Sequence, residues 1–255
     1  MFFVHKGVSV HYRRQGDGPP LLLLHGWGAD GGVFSAAAEH FSKRFDVIIP
    51  DFPPFGLSSE LEGDYTVDDY KDLVLSLMDA LGIGKADIIC HSFGGRVGAK
   101  LAAGHPERAG KIVFCASAGL PYKKSLGRSL KKARYRLARL LASLGIIKKE
   151  RLKKYFSLDY RVLPENMRGT FKNIVSEDLT ETISKIRSPS LIIWGDKDRQ
   201  TPYYMAKRWQ ELVKGSALVT MHGYGHYCFL DDAERFLRAC DEFLRQEDRK
   251  ARDFA

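Results

Sequence analysis

Two hydrophobic periods alternate along this chain. Short β-branched or leucine-rich runs are separated by stretches in which apolar residues recur at helical spacing. Val8–Arg14 and Leu21–His25 have the character of strands, and Val47–Pro50 that of a strand buried on both faces. Val67, Tyr70, Val74, Leu77, Met78 and Leu81 then fall on one side of a helix over Val67–Leu81. Asp87–Cys90 predicts a strand, Phe93–Ala103 a helix and Lys111–Cys115 a strand. The same alternation returns late in the chain. Ser190–Trp194 is an expected strand, Pro202–Val213 a helix, Ala217–Met221 a strand and Asp231–Arg245 a helix. Strands alternating with helices imply an α/β fold: a mostly parallel sheet with helices on both faces.

Residues 119–187 interrupt this rhythm and carry no strand pattern. Leu126, Leu130, Ala133, Leu137, Leu140, Leu141 and Leu144 sit at helical spacing with Lys and Arg between them, and two or three shorter helices are expected to follow. The division that results is a core domain over 1–118 and 188–255 with an inserted all-helical cap, or lid, over 119–187. Charge supports it. The chain carries a formal net charge of +9 over 255 residues. The segment Leu120–Ser188 holds 18 Lys/Arg against 6 Asp/Glu, a local excess of +12, which leaves −3 on the rest. A mildly acidic body carries one basic unit.

Composition narrows the class. Hydrophobic content of 44% with 28% charged residues is ordinary for a globular protein. The longest apolar runs, such as Leu21–Leu24, are far too short to span a bilayer. The N-terminal Met1-Phe2-Phe3-Val4-His5-Lys6 has no basic leader followed by a long apolar stretch, so a cytoplasmic location is the expectation. Cys90, Cys115, Cys228 and Cys240 form no Cys-x-x-Cys pair, so no zinc site or redox motif is signalled. All four are expected to be reduced and mostly buried, and no metal or organic cofactor is expected.

The stretch that carries chemistry is Ile88-Ile89-Cys90-His91-Ser92-Phe93-Gly94-Gly95. A buried strand ends, a serine occupies a tight turn and a helix begins, which is the setting of a nucleophile elbow. Small flanking residues let strand and helix approach; Gly94 and Gly95 meet that need, and Cys90 stands where glycine is usual. A serine capping a helix is the plainer alternative. A second stretch joins it. Leu21–Leu24 leads into His25-Gly26-Trp27-Gly28, a glycine turn able to present a backbone N–H to a tetrahedral oxyanion. The matching N–H is that of Phe93, the residue after the nucleophile.

With these motifs in order, the chain resembles the α/β-hydrolase family across residues 5–245. The resemblance also rests on Asp51-Phe52-Pro53-Pro54-Phe55-Gly56-Leu57-Ser58, in which Pro54 replaces the usual glycine, and on two late motifs. It implies a triad in the order serine, acid, histidine. In Gly195-Asp196-Lys197-Asp198 the family's acid falls on Asp198, with Asp196 as the fallback. The family's base follows a glycine just before the last helix, which is Gly225-His226; His222 reads as structural. The implied reaction is acyl transfer: Ser92 attacks a carbonyl, His226 moves the proton, Asp198 holds His226, and the N–H groups of Trp27 and Phe93 receive the oxyanion.

The expected activity is that of a carboxylic-ester hydrolase on a small or medium acyl substrate. Hydrolysis of a carbon–carbon bond is the alternative within the family; such members usually carry tryptophan after the histidine, where this chain has Tyr227. Haloperoxidase-like chemistry is a third, and a non-catalytic binding protein the alternative of another class. The serine argues against dehalogenases and epoxide hydrolases, which use an aspartate. Lys131–Arg136 and Lys148–Lys154 are the basic clusters of the cap. They suggest either a solvated face or an acidic partner: an anionic substrate, an anionic lipid surface or a carrier protein. The last would suit the likeness of His-Gly-Trp-Gly to that stretch in the esterase of pimeloyl-acyl-carrier-protein methyl ester. No nucleic-acid module accompanies the charge, so nucleic acid is not an expected partner.

Overall fold

The computed structural model describes residues 1–123, 126–148, 151–152, 160–161 and 163–252. Eight strands form one sheet: β1 Phe2–His5, β2 Val8–Gln15, β3 Pro20–Leu24, β4 Asp46–Pro50, β5 Ala86–His91, β6 Ala109–Cys115, β7 Ser190–Gly195 and β8 Ala217–Met221, in the spatial order β1-β2-β4-β3-β5-β6-β7-β8. β1 and β2 pair antiparallel, as do β2 and β4. From β4 to β8 every pairing is parallel. The central parallel strands carry the longest apolar runs. Leu21, Leu22, Leu23 and Leu24 are all fully buried, because helices cover both faces at the centre of the sheet.

The helices are α1 Ser35–Phe41, α2 Val67–Ala80, α3 Phe93–Gly104, α4 Leu126–Ser143, α5 Arg168–Ser176, α6 Thr180–Ser184, α7 Tyr204–Leu212, α8 Cys228–Asp231 and α9 Ala233–Arg252. α2, α3, α6 and α7 pack in a row over one face, and α1 with α9 over the other. α2 starts where the sequence specifies a cap: Thr66 Oγ1 accepts from the Asp69 N–H, and the Asp69 carboxylate accepts from the Thr66 N–H at 2.8 Å. Its apolar side buries Tyr70, Leu73, Val74, Leu77 and Met78.

Several boundaries differ from the sequence reading. β3 ends at Leu24, so His25 already belongs to the loop. The helix expected over Asp231–Arg245 is two: α8 stops at Asp231, and α9 continues beyond Arg245. β1 and α1 were not expected. β1 escapes notice because Phe2 and Val4 are more than half exposed, so its apolar residues do not mark a buried face. All four cysteines are free and buried.

Between β6 and β7 the described residues form helices and no strand. α4 matches the predicted spacing, but its inner face is lined by Ala138 and Ala142, while Leu130, Leu137, Leu140 and Leu144 are more than half exposed. Lys149, Glu150, Lys153 and Lys154 of the second basic cluster lie outside the described residues, as do the side chains of Lys131 and Lys132 in the first. No helix among the described residues is long and apolar enough to cross a membrane.

Candidate active site

The C-terminal ends of β3, β5, β7 and β8 converge on one edge of the sheet, where open α/β sheets bind ligands. The loops that follow carry His25–Gly28, Ser92, Asp198 and His226 in turn. They open on a cleft of about 840 Å³ whose lining includes Trp27, Ser92, Phe93 and His226, with Phe171 and Leu163 from the segment between β6 and β7.

Ser92 sits between the last residue of β5 and the first of α3, with φ 50° and ψ −109°. A non-glycine residue in that region is strained, and the surroundings must impose it. They do so by close packing. The Ser92 N–H donates to the Cys115 carbonyl at 3.1 Å, and the Ser92 carbonyl accepts from Gly95 N at 3.1 Å and Ala118 N at 2.9 Å. A Cβ on Gly94 would collide with the Leu24 carbonyl, coming within 2.6 Å of its carbon. Cys90, the departure from the usual glycine, fits because Gly98 faces it across the strand–helix contact; a Cβ there would lie 3.2 Å from Cys90 Sγ. Gly94→Ala is therefore expected to cost about 1–3 kcal/mol of stability by overpacking, read by urea unfolding, and to displace Ser92. A variant as stable and active as the native protein would show that the elbow tolerates a wider turn.

Phe93 is the first residue of α3, so its N–H has no acceptor within the helix. Trp27 N–H likewise has no acceptor among the described residues, and its side chain packs edge-on to Phe93 (centroids 5.7 Å apart) and Phe55 (4.9 Å).

Asp198 lies behind His226. Its Oδ2 is 2.8 Å from His226 Nδ1, and both side chains are almost wholly buried. The other contacts of Asp198 are donors too: Gln200 N at 2.8 Å and Thr201 N at 2.9 Å to Oδ1, and the Thr201 hydroxyl at 2.7 Å to Oδ2. Burial pushes the Asp198 carboxyl up, but the His226 contact and the Thr201 donors outweigh it and hold the carboxyl below its ordinary value. Asp198 is thus an ionised acceptor, and Nδ1 of His226 carries the proton facing it. Asp196 is placed elsewhere. It accepts from Gly223 N at 2.8 Å and pairs with the exposed His222 at 3.2 Å, so it braces the turn after β8.

The comparisons agree with this architecture. The description "alpha/beta hydrolase fold" matches the chain over residues 19–141 and 121–233. The chain belongs to the alpha/beta hydrolase fold family. Among its relatives, the 2-hydroxy-6-oxononadienedioate/2-hydroxy-6-oxononatrienedioate hydrolase of Burkholderia vietnamiensis is 31% identical over 265 residues, covering 94% of this chain and 92% of the relative. The pimeloyl-[acyl-carrier protein] methyl ester esterase of Nitrosomonas europaea is 28% identical over 255 residues, covering 92% and 99%. A solved meta-cleavage product hydrolase of Pseudomonas fluorescens superposes with a TM-score of 0.75 at 26% identity, covering 97% of this chain and 98% of that one.

In this α/β hydrolase several residues beyond the expected triad and oxyanion donors shape the site. His25 is fully buried, and burial pushes its pKa down, so the ring is neutral. Its Nδ1–H donates to the Gly26 carbonyl at 2.8 Å, and its Nε2 accepts from Phe52 N at 2.8 Å. That pair of bonds pins the start of the Gly26-Trp27 turn. His91, beside Ser92, donates from Nε2 to the His226 carbonyl at 3.0 Å and packs at a tilt against the His226 ring, with centroids 4.8 Å apart. Burial pushes its pKa down to about 3, so it too stays neutral. Thr201 fixes Asp198, and the Trp194 indole N–H ties the same loop through the Thr201 carbonyl at 2.7 Å. The strand-end position of His25 and the place of His91 next to the serine were the only sequence signals. Neither shows which atoms a ring will meet.

Proposed function

We propose that this α/β hydrolase is a serine carboxylic-ester hydrolase working through Ser92, His226 and Asp198. The observation that carries this reading is the buried 2.8 Å contact of His226 Nδ1 with Asp198, on a histidine that shares a cleft with the strained Ser92. With Nδ1 protonated toward the carboxylate, Nε2 keeps the lone pair a general base needs. Ser92 Oγ attacks the ester carbonyl as its proton passes to His226 Nε2. The carbonyl oxygen becomes an oxyanion within reach of the Trp27 and Phe93 N–H groups. Collapse expels the alkoxide or phenoxide, which takes the proton from His226, and leaves an acyl-Ser92. Water, deprotonated by the same His226, then releases the acid.

Residues 119–187 act as the cap in this reading. They close the cleft with Leu163, Phe171 and Ile174, so the substrate is held between cap and sheet. The aromatic wall of Trp27, Phe55 and Phe171 suits an apolar acyl chain. The test is rapid mixing with 4-nitrophenyl esters of graded acyl length. A burst of one nitrophenolate per active site followed by a slower steady state is the expected result. Steady turnover without an acyl intermediate at any length would contradict it. Carbon–carbon bond hydrolysis is the second reading, favoured by the similarity to the Burkholderia vietnamiensis hydrolase. A vinylogous diketone turned over faster than any ester would decide for it.

A further inference from the structure

Arg96 stands one helical turn past Ser92 on α3, lines the same cleft, and is only 6% exposed. Among the described residues its side chain makes one hydrogen bond, from Nη1 to the Glu177 backbone carbonyl at 2.9 Å. It forms no ion pair among the described residues. Two acids share that wall of the cleft, but both are engaged. Glu177 Oε1 lies 2.6 Å from Lys100 Nζ, and Asp178 Oδ1 accepts from Thr180 N at 2.9 Å and from the Thr180 hydroxyl at 2.6 Å. Burial pulls the Arg96 guanidinium down to about 10, with Glu177 and Asp178 acting the other way at longer range. It therefore remains a cation at neutral pH.

A guanidinium presents five N–H groups in a fixed planar fork. Here one carbonyl accepts from it, and the rest of the fork has no acceptor among the described residues. Glu177 and Asp178 act on it only at longer range, so a buried cation with no ion pair in contact still carries a desolvation cost, and an anion arriving from the cleft to pair with it lowers that cost. A carboxylate matches the fork with two parallel hydrogen bonds. We propose that Arg96 is the recognition site for a carboxylate carried on the acyl part of the substrate. The preferred substrates are then esters, or related carbonyl compounds, whose acyl chain ends in a carboxylate. Arg96 and Ser92 line the same cleft, and a series of chain lengths reads how many carbons separate the scissile carbonyl from that carboxylate.

This inference rests on Ser92 as the nucleophile, and the experiment separates the two. Kinetics are measured for 4-nitrophenyl hemisuccinate, hemiglutarate and hemiadipate beside the butyrate, pentanoate and hexanoate of equal carbon count, each corrected for spontaneous hydrolysis. At one or more lengths the native protein should favour the carboxylate ester by at least roughly tenfold in kcat/KM, the scale of a charge-assisted hydrogen-bonded pair. Arg96→Gln should remove that preference, with the carboxylate ester falling at least roughly tenfold further than its neutral partner, and Arg96→Lys should restore part of it. A native protein without the preference at any length overturns the proposal. So does an Arg96→Gln variant that loses both ester series equally, since Arg96 would then only tether the Glu177 backbone. If Arg96→Gln fails to fold, stronger inhibition of the native protein by glutarate than by the neutral glutaramide supports the proposal, and equal inhibition overturns it. Calorimetric titration of Ser92→Ala with glutarate reads the Arg96 site without turnover. Binding there, with full activity retained by Ser92→Ala, would sink the serine mechanism and leave the carboxylate site standing.

Discussion

Ser92→Ala is expected to lower kcat/KM for every ester the native protein hydrolyses by on the order of 10⁴-fold or more, with little change in thermal stability. In the proposed mechanism, removing Oγ deletes the atom that forms the acyl bond, and neither sequence neighbour replaces it. The nearest side chains in the sequence are His91 and Phe93. His91 is neutral, buried and committed to the His226 carbonyl, and Phe93 offers only its backbone N–H. The residual rate should come from the oxyanion donors and from His226 acting on water, a remainder that triad deletions usually leave. Stability should be nearly untouched, because alanine removes one oxygen that accepts no helix-capping hydrogen bond. Relief of side-chain strain at φ 50° is small, since alanine keeps the Cβ that makes this region unfavourable. Turnover matching the native protein, with folding confirmed by circular dichroism, would remove the serine from the mechanism.

Asp198→Asn is expected to lower kcat by about 10³–10⁴-fold, while Asp196→Asn changes it only a few-fold. The two side chains differ in what surrounds them. Asp198 receives only donors, from Gln200, Thr201 and His226. Asparagine would turn its amide donor toward at least one of them. If the amide faces His226, it demands an acceptor at Nδ1. The ring proton then moves to Nε2, and the general base is lost while the geometry survives. Asp196 supports the Gly223 turn beside an exposed histidine and is not among the residues that line the cleft. The ionised state of Asp198 also links it to acid stability. Its folded carboxyl is held below the ordinary value, so its contribution is present above the unfolded pKa and is lost as the pH falls through the folded one. Asp198→Asn should therefore flatten the acid limb of the stability curve, whereas Asp196→Asn leaves the Asp198 contribution in place. A reversed pair of activities would transfer the acid's role to Asp196.

Strand and helix signals were readable where the core is deepest. β3, β4, β5, β6 and β7 are continuous apolar runs because both faces of a central parallel strand are covered, so no alternation competes with the signal. The edges were less legible. β1 gains its place only by pairing with β2, in the register Phe3↔Val10, and two of its apolar residues face solvent. α1 is a single short helix whose buried residues are small, Ala37 and Ala38, with Phe41. The leucines of α4 mark a helix but not its buried side. Spacing gives a face, and the neighbours decide whether that face is covered.

For the site, local order in the sequence determined a great deal. A strand–turn–helix around Ser92, with Gly94 and Gly95 after it, is a local geometric requirement, and such requirements leave local residue choices. The order of Asp198 and His226 along the chain depended on the family resemblance rather than on spacing. What tertiary structure alone decided lies between segments far apart in sequence. It brought Asp198, the acid the family resemblance implies, into contact with His226, locked His25 and His91 onto backbone atoms of other loops, and left Arg96 in the cleft with a single carbonyl acceptor among the described residues. The reason is physical. Hydrogen-bond partners and desolvation depend on which loops the sheet's C-terminal edge gathers, and no residue's own neighbours in the chain encode that.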